Sequence, residues 1–186
     1  MILRQQKTLS NNHYTSTNEQ RSFRKTQEQR FSLLFEVWRI TMQNDKYSCL
    51  KLENQLCFPL YACSKEVIRR YKPYLDKLDL TYTQYIAMMV LWEKKAVTVK
   101  ELGECLYLDS GTLTPLLKKL EKKNYVVRNR SKEDERNLIV SITKAGEDLK
   151  EQAVEIPMEL GACVNVEPQE AQQLQKLLYK LLNGLS

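Results

Sequence analysis

A chain of 186 residues with 42% hydrophobic and 28% charged residues is long enough for one well-packed domain. Its formal charge of +6 is unevenly placed: residues 1–41 hold seven Lys/Arg against three Asp/Glu, and residues 42–186 hold 22 against 20. Bulk charge therefore argues for no polyanion partner beyond residue 41, and any nucleic-acid reading must rest on local clusters.

Residues 1–30 are rich in Gln, Asn, Ser, Thr and Arg and read as disordered; they contain His13, the single histidine. Phe31 to Ile40 is more apolar, but too short and too interrupted by charge to span a membrane. The polar segment before it does not fit a secretory signal. Residues 1–41 are expected to be a disordered or appended tail, or the product of an upstream start codon ahead of Met42, and the folded part to be 42–186. A helix is expected from about 50 to 75, where Leu56, Leu60, Cys63, Val67 and Tyr74 alternate by four and three, the spacing of a helix–helix seam. Pro59 removes a helical N–H and should kink or start that helix. A second helix covers Thr81 to Trp92, and a short one starts at Thr98, where Thr98-Val99-Lys100-Glu101 forms a capping box.

The next segment is the most informative. Asp109 is an N-cap residue type, and Leu113, Leu116, Leu117 and Leu120 then recur at i, i+3, i+4, i+7, a one-sided apolar stripe. The opposite face carries Ser110, Thr112, Thr114, Lys118, Lys119 and Lys122. Short hydroxyls near a helix start suit base edges and phosphates, and cations further along suit a polyanion. Tyr125 to Arg130 and Leu138 to Thr143 read as strands around a polar, charged tip. Eight Lys/Arg against four Asp/Glu lie between Lys118 and Arg136. A helix follows Thr143, and a last one spans about 167 to 184 with Pro168 near its start. There Leu174, Leu177, Leu178, Leu181 and Leu185 form a continuous stripe that needs a partner, within the chain or on a second copy. Burying each leucine contributes roughly 1.5–3 kcal/mol. The expected fold is mainly α with a small β-hairpin: a winged helix-turn-helix over 81–143, between N- and C-terminal dimerisation helices (50–75 and 144–186).

This string resembles the MarR (multiple antibiotic resistance regulator) family, whose members carry Asp-x-Arg at the wing tip, here Asp134 and Arg136. The resemblance implies a recognition helix in the major groove and a wing arginine in the neighbouring minor groove. It implies a two-fold homodimer, and double-stranded operator DNA with inverted half-sites as its partner. Ser110, Thr112 and Thr114 would face the major groove, and Lys118, Lys119, Arg128 and Arg136 would hold phosphates or the minor groove. Within the family, Leu52-Glu53-Asn54-Gln55-Leu56-Cys57-Phe58 is similar to the organic hydroperoxide sensor subgroup. That likeness makes Cys57 the reactive thiol and Tyr61, Tyr71 and Tyr82 its supporting tyrosines. It also suggests Cys163 as a resolving cysteine acting on the other subunit; the alternative is an unpaired helix residue. The likeness is dense from about Lys51 to Arg136 and thins after Pro157.

The chemistry can be argued from the residues alone. A thiol attacks a peroxide as thiolate, and an ordinary thiol has a pKa near 8.5. Residues 42–186 contain no histidine to serve as base. What remains is the positive end of the first helix and hydrogen bonds from tyrosine hydroxyls. Of the five cysteines (Cys49, Cys57, Cys63, Cys105 and Cys163) none forms a Cys-x-x-Cys pair, so a structural zinc site is not expected. No cofactor is expected either. An odd count without a secretion signal points to a reducing cytoplasm. Cys63 and Cys105 read as packed small hydrophobes. The reading is thus a cytoplasmic DNA-binding repressor released when an organic hydroperoxide oxidises Cys57. The alternatives are a relative released by a phenolic ligand or governing virulence and biofilm genes, and a thiol peroxidase. The peroxidase leaves helix and wing without a role and lacks a second nearby thiol for turnover, so no enzyme is expected.

Overall fold

The computed structural model describes residues 47–131, 137–161 and 166–185. The tail at 1–41, the wing-tip residues Asp134 and Arg136, and Cys163 lie outside the described residues. Contacts divide the chain into two units, residues 1–62 and 63–186.

In the first unit, two 3-10 turns, Ser48–Leu50 and Leu52–Asn54, precede helix α1, Cys57–Lys77, whose residues from 63 onward belong to the second unit. The helix was expected from about residue 50. It starts later because Lys51 and Gln55 are extended, at ψ 134° and 113°. Side chains close this lead-in: Asn54 Nδ2 donates to Ser48 O at 2.8 Å, and Gln55 Nε2 donates to Cys49 O. Pro59 falls in the first turn of α1, where its missing N–H has no acceptor to lose. It marks the start, not a kink.

In the second unit, Leu75, Leu78 and Leu80 are buried and pin the turn after α1, where Asp79 adopts φ 51°. Helix α2, Tyr82–Lys94, is capped by Thr81 in a box with Gln84; this explains why Gln84, bonded to Thr81 N at 3.0 Å, is a buried polar residue. Tyr85, Ala87, Met88, Leu91 and Trp92 of α2 are buried, and Trp92 Nε1 donates to Gly146 O at 2.8 Å. Strand β1, Ala96–Thr98, leads into helix α3, Val99–Leu106, whose Thr98–Glu101 box forms as expected.

Helix α4, Ser110–Lys122, follows, and its four stripe leucines are all buried. Strands β2, Val126–Arg130, and β3, Leu138–Ile142, pair antiparallel with Arg128 opposite Val140. β1 adds to the other side of β3, giving the order β1-β3-β2. The hairpin was legible beforehand; the third strand was not. Thr143 caps helix α5, Lys144–Ala153, and helix α6 spans Ile156–Gly161. The last helix, α7, Pro168–Leu182, buries no residue: Leu174, Leu177, Leu178 and Leu181 are all exposed. Among the described residues no helix is long and apolar enough to cross a membrane.

Candidate functional site

The candidate reading surface is built on α4. Asp109 ends its extended lead-in and accepts hydrogen bonds from Thr112 N at 3.0 Å and Thr112 Oγ1 at 2.8 Å. The Thr112 hydroxyl, then the Thr112 N–H, hold the Asp109 carboxyl below its ordinary range. Thr114 Oγ1 donates back to Ser110 O at 2.8 Å. Both threonine hydroxyl protons are thus used within the helix, so each side chain offers an oxygen acceptor and a methyl outward. Ser110, Thr112, Thr114, Lys118 and Lys119 are exposed on the face opposite the buried leucines. The expected division into a buried leucine face and an exposed face of hydroxyls and lysines is therefore present.

Arg128 departs from expectation. It is expected to hold a phosphate or the minor groove, but its side chain is only 18% exposed and makes an ion pair with Glu121 at 2.5 Å. Arg128 Nε adds a bond to the same carboxylate oxygen at 3.0 Å. These bonds, the guanidinium first, hold the Glu121 carboxyl below its usual range. Two of the five guanidinium N–H donors are thereby spent on one carboxylate oxygen, whose charge also offsets the cation beside it.

An open groove of about 720 Å³ runs between α3 and the start of α4. Val99, Gly103, Tyr107, Leu108 and Leu113 line it, with Lys100, Glu104, Asp109 and Ser110.

Cys57 is the first residue of α1 and exposed. The first turn of α1 contains no acidic residue, so no carboxylate within that turn offsets the positive end of the helix dipole at the thiol. Tyr61, one turn on, is 63% exposed. Tyr71 and Tyr82 belong to the second unit, where they meet edge to face at 5.0 Å between ring centres. Tyr85 joins them, 5.8 Å from Tyr71 and 6.0 Å from Trp92. Burial, and then Tyr82, raise the Tyr71 phenol above its ordinary value; burial, Tyr71 and Tyr82 do the same for Tyr85. Both therefore remain neutral O–H donors at physiological pH. Tyr85 was missed in the sequence, although its i+3 spacing from Tyr82 puts both on one helix face.

Cys63 and Cys105, expected to be packed, are exposed in the single chain. For Cys105 the reason is the helix angle: Leu102 and Gly103 take the buried face of α3 and leave residue 105 outside, with Lys94 Nζ 3.7 Å from its sulfur. Among the described residues no group of His, Cys, Asp or Glu could hold a metal ion.

A capped helix with a polar outer face, packed on α2 and α3 and followed by a two-stranded hairpin, defines a winged helix-turn-helix of the kind found in transcriptional regulators. Residues 69–153 match the family model described as "Transcriptional regulator SarA/Rot". The organic hydroperoxide resistance transcriptional regulator of Bacillus subtilis is 51% identical over 144 residues, 77% of this chain and 97% of its own. SarZ of Staphylococcus aureus is 49% identical over 123 residues, 66% of this chain and 83% of its own. Among solved structures, reduced AbfR bound to DNA is 33% identical, with a TM-score of 0.65, covering 76% of this chain and 96% of that one. Disulfide-formed AbfR is 35% identical, with a TM-score of 0.53, covering 74% and 96%. The chain belongs to the MarR family of winged helix-turn-helix transcriptional regulators.

Proposed function

We propose that this chain is a homodimeric repressor that holds operator DNA while reduced and lets go when an organic hydroperoxide oxidises Cys57. The observation that carries the reading is the exposed thiol at the positive end of α1, whose first turn holds no acidic residue, in a chain half identical to an organic hydroperoxide resistance regulator. The AbfR structures, one reduced on DNA and one with a disulfide formed, support coupling of thiol state to DNA binding.

In this reading Ser110, Thr112 and Thr114 approach base edges, Lys118 and Lys119 neutralise phosphates, and Arg136, beside Asp134, enters the minor groove. The exposed leucines of α7 and the seam of α1 join two copies. Residues 81–143 form the reading head, 50–75 and 144–186 the sensor and dimer helices, and 1–41 an appended tail. The Cys57 thiolate attacks one peroxide oxygen and the O–O bond breaks. The sulfur keeps that oxygen as sulfenic acid, and the other leaves as the alcohol after taking a proton. Condensation with Cys163 of the partner subunit then forms an S–S bond and releases water. Such a bridge needs Cα atoms about 4.4–6.8 Å apart, and drawing them together re-spaces recognition helices that must match half-sites roughly 34–36 Å apart. The reaction is stoichiometric, not catalytic.

A non-reducing gel tests the bridge: after cumene hydroperoxide, a doubled mass is expected in wild type and absent in Cys57→Ser and Cys163→Ser. The groove beside α4 favours a second reading, release by a small phenolic compound. Release by salicylate, undiminished in Cys57→Ser, with no response to hydroperoxide, would favour it over the first.

A further inference from the structure

We propose that Glu121 is a positioning residue for DNA binding: its carboxylate clamps β2 to the last turn of α4, so that recognition helix and wing meet the duplex as one rigid body. The inference rests on the DNA-binding reading above. Glu121 is the penultimate residue of α4 and Arg128 the third of β2. Both carboxylate oxygens are engaged. Oε2 accepts from Arg128 Nε at 3.0 Å and Nη2 at 2.5 Å, and Oε1 accepts from the Arg128 backbone N–H at 3.2 Å.

The backbone bond makes this more than an ion pair. β2 is an edge of the sheet, and an edge strand directs alternate N–H groups away from its neighbour. Glu121 takes one of these, so the helix is tied to the strand's main chain as well as to a side chain. The joint between the two elements is already closed once, by the turn in which Asn124 N donates to Glu121 O at 2.9 Å and Tyr125 N to Leu120 O at 3.1 Å. The β1–β3 pairing and the buried Val126 and Val140 seat the sheet on the core, but the outer edge of β2 is tied to α4 only near that turn. A second tie three residues up the strand fixes the angle of that edge against the helix. A wing held at a fixed angle pays less ordering entropy on binding than one that must be caught.

The clamp and its rival predict opposite signs. If Arg128 were a phosphate ligand held in reserve, Glu121→Gln would release it, remove a negative charge beside a polyanion, and tighten binding. If Glu121 positions the wing, the same substitution weakens binding.

The test uses the full reduced chain and a labelled inverted-repeat duplex selected by the wild-type protein from a random pool, with anisotropy read across a salt series. Glu121→Gln is expected to bind about tenfold more weakly, with an unchanged slope against log salt and unchanged affinity for an unselected duplex. Hydrogen exchange at Val126–Arg130 should quicken, and the reversed pair, Glu121→Arg with Arg128→Glu, should recover part of the affinity. Equal or tighter binding by Glu121→Gln, or a slope steeper by about 0.9, overturns the clamp while leaving the DNA-binding reading intact. A wild-type protein that selects no duplex overturns both. A urea midpoint near that of wild type separates a swivelling wing from an unfolded domain, and a Glu121→Gln chain that loses affinity only by unfolding counts against the clamp.

Discussion

Gly146→Ala sets two physical effects against each other in the heart of the reading head. Gly146 lies in the first turn of α5, and helix propensity alone would favour alanine there by about 1 kcal/mol. The packing says otherwise. A Cβ at this position would lie 2.3 Å from Tyr125 O and 2.8 Å from Ile142 Cγ1. The Met88 terminus, at 3.2 Å, can move aside, but the carbonyl cannot, because it accepts the Thr143 N–H at 3.0 Å. Moving Gly146 instead disturbs the Trp92–Gly146 bond in the core. Overpacking of this kind costs roughly 1–3 kcal/mol, and contact with a fixed carbonyl puts it in the upper half of that range, so after the propensity gain the net expectation is a loss of about 1–2 kcal/mol, or a fall in melting temperature of roughly 2–8 °C. Gly161→Ala is the control: a Cβ there meets nothing within 4 Å, and its melting temperature should stay level or rise slightly. Urea and thermal unfolding followed by circular dichroism check both. A Gly146→Ala chain as stable as wild type would refute the packing argument.

Three further outcomes follow from the site. Glu101, Asp109 and Glu121 all titrate below their ordinary range through hydrogen bonds, from Thr98, Thr112 and Arg128 respectively. The unfolded chain therefore binds more protons in this window, so their contribution is complete above about pH 4.5 and lost as pH falls through the lower folded values. Urea midpoints between about pH 5 and 3 should fall less steeply in a Glu101→Gln, Asp109→Asn chain, and identical slopes would contradict the assignment. Lys118→Ala and Lys119→Ala should each flatten the log–log salt slope by about 0.9 for each phosphate no longer neutralised, without changing which duplex is selected. Leu177→Lys with Leu181→Lys removes four half-exposed leucines from a two-fold dimer, worth roughly 1 kcal/mol each. Sedimentation should then show dimer dissociation strengthened about a thousandfold, whereas an unchanged dimer would place the interface elsewhere.

Much of the reading head was legible because its signals are local. Asp109 and the stripe Leu113, Leu116, Leu117 and Leu120 determine where α4 starts and which side it buries, and both hold. The Thr98–Glu101 box holds for the same reason. What escaped was non-local or short. β1 has only three residues, too few for an alternation to register, and its pairing partner lies more than forty positions away. Arg128 looked like one more cation in a basic run, and only folding brings Glu121 under it. Cys105 lies one step off the buried arc of α3, a distinction finer than the spacing rule used to judge it. The late start of α1 depends on Asn54 and Gln55 bonding back to Ser48 and Cys49, a side-chain closure that periodicity does not encode. The leucines of α7 were expected to need a partner, and their exposure in a single chain agrees with that need without naming what fills it.

The most direct trial of the account is a titration of operator-bound wild type and Cys57→Ser with cumene hydroperoxide, followed by anisotropy. Wild type should release the duplex after about one equivalent per subunit and rebind when dithiothreitol is added, while Cys57→Ser stays bound throughout. Equal release from both chains, or none from either, would contradict it.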